Sequence, residues 1–438
     1  MRGAVGGTKD WLSAEQAARR LGVKPQTLYA YVSRGLLESH PVSGPGRTSR
    51  YVRADVERLA ERRRSGGRAG GLELLVDTEL TLLDPAGRLY FRGWDAIEAA
   101  RVASYERVAE WLWSGADRGE PPAWVASPEA VSVAGGATAA LPAAAGPVDR
   151  LRVATAAVAT TDPLRGDRRP EAVTIAARSL IAALVECLPR RGSAASASAG
   201  SPRLSIGGVT RRASIASRLW PRLAGNRASG TRRGLTAAAS SQVSVLNSAL
   251  AMLADHELAA STLAARIAAS TWADPYLVVL TGLGALGGPL HGAASQASRL
   301  LIEQVASGRP AADAIGSRLR DGERIAGFGH SVYRDRDPRC DALLAQLESS
   351  WGGSSVWRTV TDILDVMAER ALPAPNIDFA IAAFCHFNGL MGGAGEAIFA
   401  VARCAGWIAH AIEEYPHRLR FRPRAVYVGV PPGQPVKP

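Results

Sequence analysis

Beyond Trp94, apolar residues recur at helical spacing almost to the end of the chain, and the alternation of a half-buried strand is nearly absent. The segments are rich in alanine and leucine, which favour helices strongly. Such a body can bury its apolar stripes only helix against helix, so its fold class is mainly α. The chain has 438 residues, more than one core usually organises, so two or three domains are expected. Its 47% apolar and 21% charged residues describe an ordered protein. Three stretches interrupt the helical pattern and read as mobile loops: 134–148, 189–203 ("PRRGSAASASAGSPR") and 224–234 ("AGNRASGTRRG"). From Leu72, "LELLVDTELTLLDPAGRLYFRG" suggests a small β-element around the turn "DPAG".

The longest apolar run, "LVVLTGLGALGGPL", is too short and too glycine-rich to span a bilayer, and no apolar signal core stands at the N-terminus. Cys187, Cys340, Cys385 and Cys404 lie far apart without CxxC spacing, as expected of reduced, buried thiols in a cytoplasmic protein. The net charge of +12 is uneven. Residues 1–70 hold 14 Lys and Arg against 6 Asp and Glu, a net of +8, which favours a nucleic-acid-binding module there.

In that head, Ser13 with Gln16 three residues on is a capping-box start, and Leu12, Ala17 and Leu21 form an apolar stripe that Gly22 ends. Pro25 suits the first turn of a second helix, with Leu28 and Val32 inward and Gln26, Thr27 and Arg34 outside. "GPGRTSRYVRADVERL" then reads as a hairpin or wing and a third helix, with Arg47 and Arg50 exposed. Residues 11–64 resemble the winged helix-turn-helix heads of the MerR and excisionase families. The resemblance implies duplex DNA as a partner, with Gln26, Thr27 and Arg34 toward the bases and Arg47 and Arg50 toward phosphate. The glycine-rich stretch ending at 71, with 65–71 as its core, reads as a linker.

Polar landmarks cluster in the last part of the chain. "LADHELAAST" sets His256 between Asp255 and Glu257. "GGPLHGAAS" places His291 after a glycine turn at the start of a helix. "GFGHSVYRDRDPR" gathers His330, Arg334, Arg336 and Arg339. "PNIDF" places Asp378 in a first helical turn; Arg403 and Arg422 follow. Singly, each has a structural explanation: a carboxylate that complements a helix dipole, a packed histidine, a salt-bridge partner. No HExxH or CxxC motif appears, so no metal is expected.

Together, in this order, these blocks make residues 72–430 resemble the citrate synthase family. The resemblance implies an all-helical body with large and small subdomains that condenses acetyl-CoA with oxaloacetate. Asp378 would be the base that takes a proton from the acetyl methyl group. His291 would hydrogen-bond the developing enolate oxygen, and His330 would polarise the ketone of oxaloacetate. His256, Arg339, Arg403 and Arg422 would hold the dianion, because guanidinium groups match carboxylates bidentately. Arg334, Gly327 and Gly329 would contact CoA, a co-substrate, and no cofactor is implied. Arg422 would reach across from a neighbouring subunit, which implies a homodimer with shared active sites. The chain departs from the family at Ala293 and Ser295, where glycine and asparagine are common, and at Ser331, often arginine. These departures bear on CoA affinity and helix packing and leave every catalytic group in place. Two alternatives stay open: a 2-methylcitrate synthase that uses propionyl-CoA, and a DNA-binding regulator whose body senses a ligand.

Overall fold

The structure is a computed structural model that describes residues 10–23, 28, 31–32, 37–42, 48–57, 60, 76–84, 87–189, 213–224, 237–288, 291–292, 294–330, 332–333, 335–418 and 421. The chain divides into two compact units, Met1–Asp77 and Thr78–Pro438.

In the first unit, β1 (Trp11–Ser13) runs into the helix Ala14–Leu21. Ser13 Oγ accepts from Gln16 N at 3.2 Å, and Gln16 Oε1 accepts from Ser13 N at 2.9 Å, the reciprocal cap expected of that spacing. Gly22 ends the helix at φ +64°. β2 (Ser39–Val42) and β3 (Thr48–Val52) pair antiparallel where a wing is expected, and β1 completes a sheet of order β1-β3-β2. Leu12, Ala17, Leu21, Leu28, Leu37, Tyr51 and Val56 form one small core. Arg50 is exposed on β3. Gln26, Thr27, Arg34, Arg47 and the 65–71 linker lie outside the described residues.

The second unit opens with the antiparallel meander β4 (Thr81–Leu83), β5 (Leu89–Phe91) and β6 (Trp94–Asp95). Where the turn is expected, Gly87 N donates to Asp84 O at 2.8 Å, and residues 85–86 lie outside the described residues. Asp95 then caps the next helix through Ile97 N and Glu98 N. The rest of the described body is helical. The helix Ala394–Glu414 is buried along nearly its whole length, as befits a central helix, and carries Arg403 and His410 inside. Helices Tyr105–Ser114, Pro170–Glu186, Ala237–Leu253, Ala260–Ser270 and Pro275–Leu286 pack around it. A second group packs the helix Ile377–Phe387 against Ala294–Ala306 and Pro338–Trp351.

One expected loop is shorter than its composition suggests, covering only 140–146. Residues 134–148 contain the end of the helix Pro128–Ala139 and the start of the helix Pro147–Val158. Gly135 and Gly136 each weaken a helix by about 1 kcal/mol relative to alanine. Tertiary burial of Ala130, Ala134 and Thr138, spaced four apart, outweighs that cost, and Ser127 caps the start through Ala130 N at 3.0 Å. Apart from Pro189 and Ala224, the stretches 189–203 and 224–234 lie outside the described residues. The four cysteines are buried and unpaired. Among the described residues no helix is long and apolar enough to cross a membrane.

Candidate active site

Six of the polar landmarks line one cavity of about 670 Å³ in the second unit: His256, His291, His330, Arg339, Asp378 and Arg403. They come from five separate stretches of chain, and the local structure of each explains how it reaches the cavity.

His330 and Asp378 are delivered as one piece. Gly327 and Gly329 hold φ +83° and +78°, which other residues rarely adopt. Their turn is tied to the start of the helix Ile377–Phe387 by Gly329 N to Ala374 O at 2.7 Å and Asn376 N to Gly327 O at 2.8 Å. Asn376 adds Nδ2 to Gly329 O at 2.8 Å and caps Asp378 N through Oδ1 at 3.0 Å. A Cβ on Gly327 would come within 2.3 Å of Ser298 Oγ and 3.0 Å of Phe379 Cβ, so this glycine also serves packing. His291 sits three residues before the helix Ala294–Ala306, in a turn closed by its own N–H to Gly288 O at 2.9 Å. Its Nε2 lies 2.8 Å from Ser261 Oγ. His256 is buried, not a surface ion pair as its acidic neighbours allow, and its Nε2 lies 3.0 Å from Tyr333 Oη.

The two guanidinium groups are almost completely buried and differ in their partners. Arg339 Nε and Nη2 donate to Asp337 at 3.0 and 2.8 Å, a bidentate pair. Arg403 donates Nε to Leu253 O at 2.9 Å, and its Nη1 is buried without a partner. A buried, unpaired N–H of a cation is costly unless a ligand accepts it.

His330 Nδ1 accepts from Val332 N at 3.0 Å and Tyr333 N at 3.3 Å, so a neutral ring carries its proton on Nε2. That Nε2 lies 3.5 Å from Arg339 Nη2. Two donors meet there without a protein acceptor, so a ligand oxygen beside them, within reach of both nitrogens, would be held.

Burial and Arg339 bring His330 down to about 4. Burial and Arg403 also lower His291, and burial with Arg339 and Arg403 lowers His256 well below the ordinary histidine value. All three rings are neutral at neutral pH. Burial raises the Asp378 carboxyl to about 6, against the pull of Arg339 and Arg403. Burial lowers Arg403 to about 10, where it is still a cation. The cavity thus joins two buried cations, three neutral rings and two carboxylates, Glu257 and Asp378, of which Asp378 lies near its titration point. That set can hold a small anion and move a proton.

Asp337, Tyr333, Asn376 and Ser261 were not singled out in the sequence. Asp337 had a local signal: it precedes a proline at the first helical position, as a capping residue does, and it caps Arg339 N at 3.1 Å. Tyr333 had none, because His256 is 77 residues away. Arg336 pairs with Asp341 on the surface, as a solvated arginine would. Arg334, Arg422, Ala293 and Ser331 lie outside the described residues. Ser295 is buried against Gly395, where a Cβ would lie 2.7 Å from Ser295 Oγ, so a larger residue at 295 would push the two helices apart.

Residues 71–424 match the family model "Citrate synthase, C-terminal domain". The chain belongs to the citrate synthase family. Residues 11–64 match a helix-turn-helix domain model. Citrate synthase 2 of Bacillus subtilis is 38% identical over 192 residues, 43% of this chain and 51% of that protein. A 2-methylcitrate synthase of Shewanella oneidensis is 36% identical over the same length and shares. The chain spans about half the length of the curated relatives it matches. In fold it is similar to the citrate synthase of Thermotoga maritima, with TM-score 0.62, 24% identity, and 83% of this chain and 96% of that chain covered. It is equally similar to a Thermoplasma acidophilum citrate synthase solved with carboxymethyl coenzyme A and oxaloacetate, with TM-score 0.63, 23% identity and the same coverage. These two likenesses establish the citrate synthase fold.

Proposed function

We propose that residues 72–430 form a citrate synthase that condenses acetyl-CoA with oxaloacetate and water to give citrate and CoA. One observation carries the reading: a carboxylate near its titration point shares a cavity with neutral histidines and two buried guanidinium groups.

Asp378 takes the proton from the acetyl methyl carbon. Ser261 Oγ donates to His291 Nε2, which leaves a proton on Nδ1 to stabilise the developing enolate oxygen. The His330 Nε2–H polarises the ketone oxygen of oxaloacetate, which the enol carbon attacks. Water then cleaves the citryl thioester, and CoA leaves. Arg339, Arg403 and His256 hold the dianion, and Arg422 of the partner subunit completes its site in a homodimer. Arg334, Gly327 and Gly329 contact CoA, and no further cofactor takes part. The buried thiols fit a reducing, cytoplasmic location.

Relatives of both names support either acetyl-CoA or propionyl-CoA as the donor, since one methylene is worth only about 1–3 kcal/mol in a pocket. The test is thiol release by the purified full chain with oxaloacetate and each thioester in turn. No release with either would refute the synthase reading.

The head supports a second, compatible function. Its helix-turn-helix match, its net +8 and exposed Arg50 support duplex DNA binding by residues 11–64. In that reading a body that binds oxaloacetate without turnover would act as a ligand sensor. Fluorescence anisotropy with DNA from upstream of the gene, comparing the full chain with a chain lacking residues 1–71, tests it. Equal affinity of the two at low salt would remove the DNA-binding reading.

A further inference from the structure

Asp255 precedes His256 and stands behind the cavity wall, fully buried and not part of the lining. Its Oδ2 accepts from Thr81 Oγ1 at 2.5 Å and from Glu257 N at 3.2 Å, and lies 3.4 Å from His410 Nε2. Its Oδ1 is buried without a hydrogen-bond partner. This oxygen rests where a Cβ on Gly406 would be, 2.3 Å from that point, and Gly406 N donates to Ala254 O at 2.9 Å. The glycine therefore lets the carboxylate lie directly on the helix Ala394–Glu414, which carries Arg403 one turn before it.

The far side of His410 is anchored as well. Arg266 Nη1 lies 3.0 Å from His410 Nδ1, and Arg266 is fully buried. Its Nε donates to Glu414 and its Nη1 also donates to Glu413, each at 2.6 Å. Arg266 can only donate, so His410 accepts at Nδ1 and directs the Nε2 proton toward Asp255. Glu413 in turn accepts from Glu79 N at 2.7 Å, next to the strand that supplies Thr81.

Burial opposes the charge of Asp255, but His410, Arg403 and Thr81 outweigh it and keep the carboxyl below its usual range. Burial likewise opposes the charge of Arg403, and Asp255 is the largest influence in its favour. Yet no hydrogen bond joins the two. Arg339 has its counter-ion bound on two donors; Arg403 has its counter-ion at a distance and Nη1 unspent.

We propose that Asp255 is a positioning residue of the anion site: it balances the charge of Arg403 from behind the wall without occupying its donors, held in place by the His410–Arg266–Glu414 chain. The arrangement keeps a buried guanidinium charged without spending its Nη1 on a protein carboxylate. This role rests on the synthase reading of the cavity.

The test is a double-mutant cycle between Asp255→Asn and Arg403→Met in the full chain. Oxaloacetate affinity is read by calorimetry, with KM and kcat for both substrates. Asp255→Asn is expected to weaken oxaloacetate binding on the order of tenfold. The KM for acyl-CoA and kcat should change less than about threefold, since the acyl-CoA contacts and the base are untouched. In the Arg403→Met background the same substitution should change oxaloacetate kcat/KM by less than about twofold, because the charge it serves is gone. An undiminished effect in that background, or equal losses for both substrates, would overturn the role. If Asp255→Asn does not fold, His410→Ala takes its place in the cycle and should give a several-fold loss that also depends on Arg403. A wild-type chain that neither binds oxaloacetate nor releases thiol would refute the synthase reading. Normal wild-type binding with an unchanged Asp255→Asn variant would refute only the role of Asp255.

Discussion

Replacing Asp378 with asparagine should make the protein inactive and more stable at once. Burial raises this carboxyl from 3.8 to about 6, so the folded chain takes up its proton more readily than the unfolded one. The sign follows from linkage. Stability is lost as pH rises from about 3.8 through about 6, because ionising the group costs more inside the cavity than in water. Above that window the penalty is complete and amounts to about 3 kcal/mol at most. Asp378→Asn removes the charge and keeps the shape, so at pH 7 it should raise Tm by a few degrees, and near pH 4 by almost nothing. Thiol release should fall by several orders of magnitude, because asparagine cannot accept the proton. The wild-type protein offers the matching measurement. With a pKa of about 6, roughly nine-tenths of the base is ionised at pH 7 and roughly one-tenth at pH 5, so kcat/KM should fall about tenfold between them. His330 stays neutral until pH approaches 4 and does not blur that limb. An ordinary aspartate would still be roughly nine-tenths ionised at pH 5 and would give an almost flat profile. Scanning calorimetry at pH 7 and 4, with a pH–rate profile at constant ionic strength, decides the matter. A flat profile to pH 5 together with an asparagine variant no more stable than wild type at pH 7 would refute burial as the force that tunes Asp378.

Arg403→Leu, or Arg339→Leu, should weaken oxaloacetate binding by about 2–4 kcal/mol with little change for acyl-CoA, measured by calorimetry on both ligands. Equal losses would point to unfolding or to another substrate. Asn376→Ala removes a helix cap and the tie to Gly329 O; it should cost about 1–2 kcal/mol in chemical denaturation and lower kcat more than it raises KM, by releasing the His330 turn. Arg50→Ala should weaken DNA binding uniformly across sequences and reduce the salt slope by about one, read by anisotropy at several salt concentrations. Deleting residues 1–71 should leave the body's far-ultraviolet circular dichroism and thiol release intact, since the described helical core begins beyond them.

Much of the fold was legible locally. The Ser13–Gln16 cap, the Gly22 stop and the turn at 84–87 are short-range rules, and they hold because each concerns groups only a few residues apart. The misreading of 134–139, the helical part of the expected loop 134–148, marks the limit of such rules. Alanine, glycine and proline in a row look like a loop until the buried stripe of Ala130, Ala134 and Thr138 finds its partners, and those partners are distant in the chain.

For the site the division is sharper. The order and chemistry of the blocks around His256, His291, His330, Arg339, Asp378 and Arg403 are properties of the sequence, and so is the resemblance they carry. That these six side chains line one cavity is a property of the tertiary structure, as is the unspent donor on Arg403, whereas Arg339 pairs with a carboxylate only two residues before it. The charge states belong there too. A carboxyl at about 6 and a histidine at about 4 arise chiefly from burial, which only the packed chain produces. Residue type sets the ordinary pKa, but desolvation and Coulomb interaction depend on distance in space, and only the folded chain sets those distances.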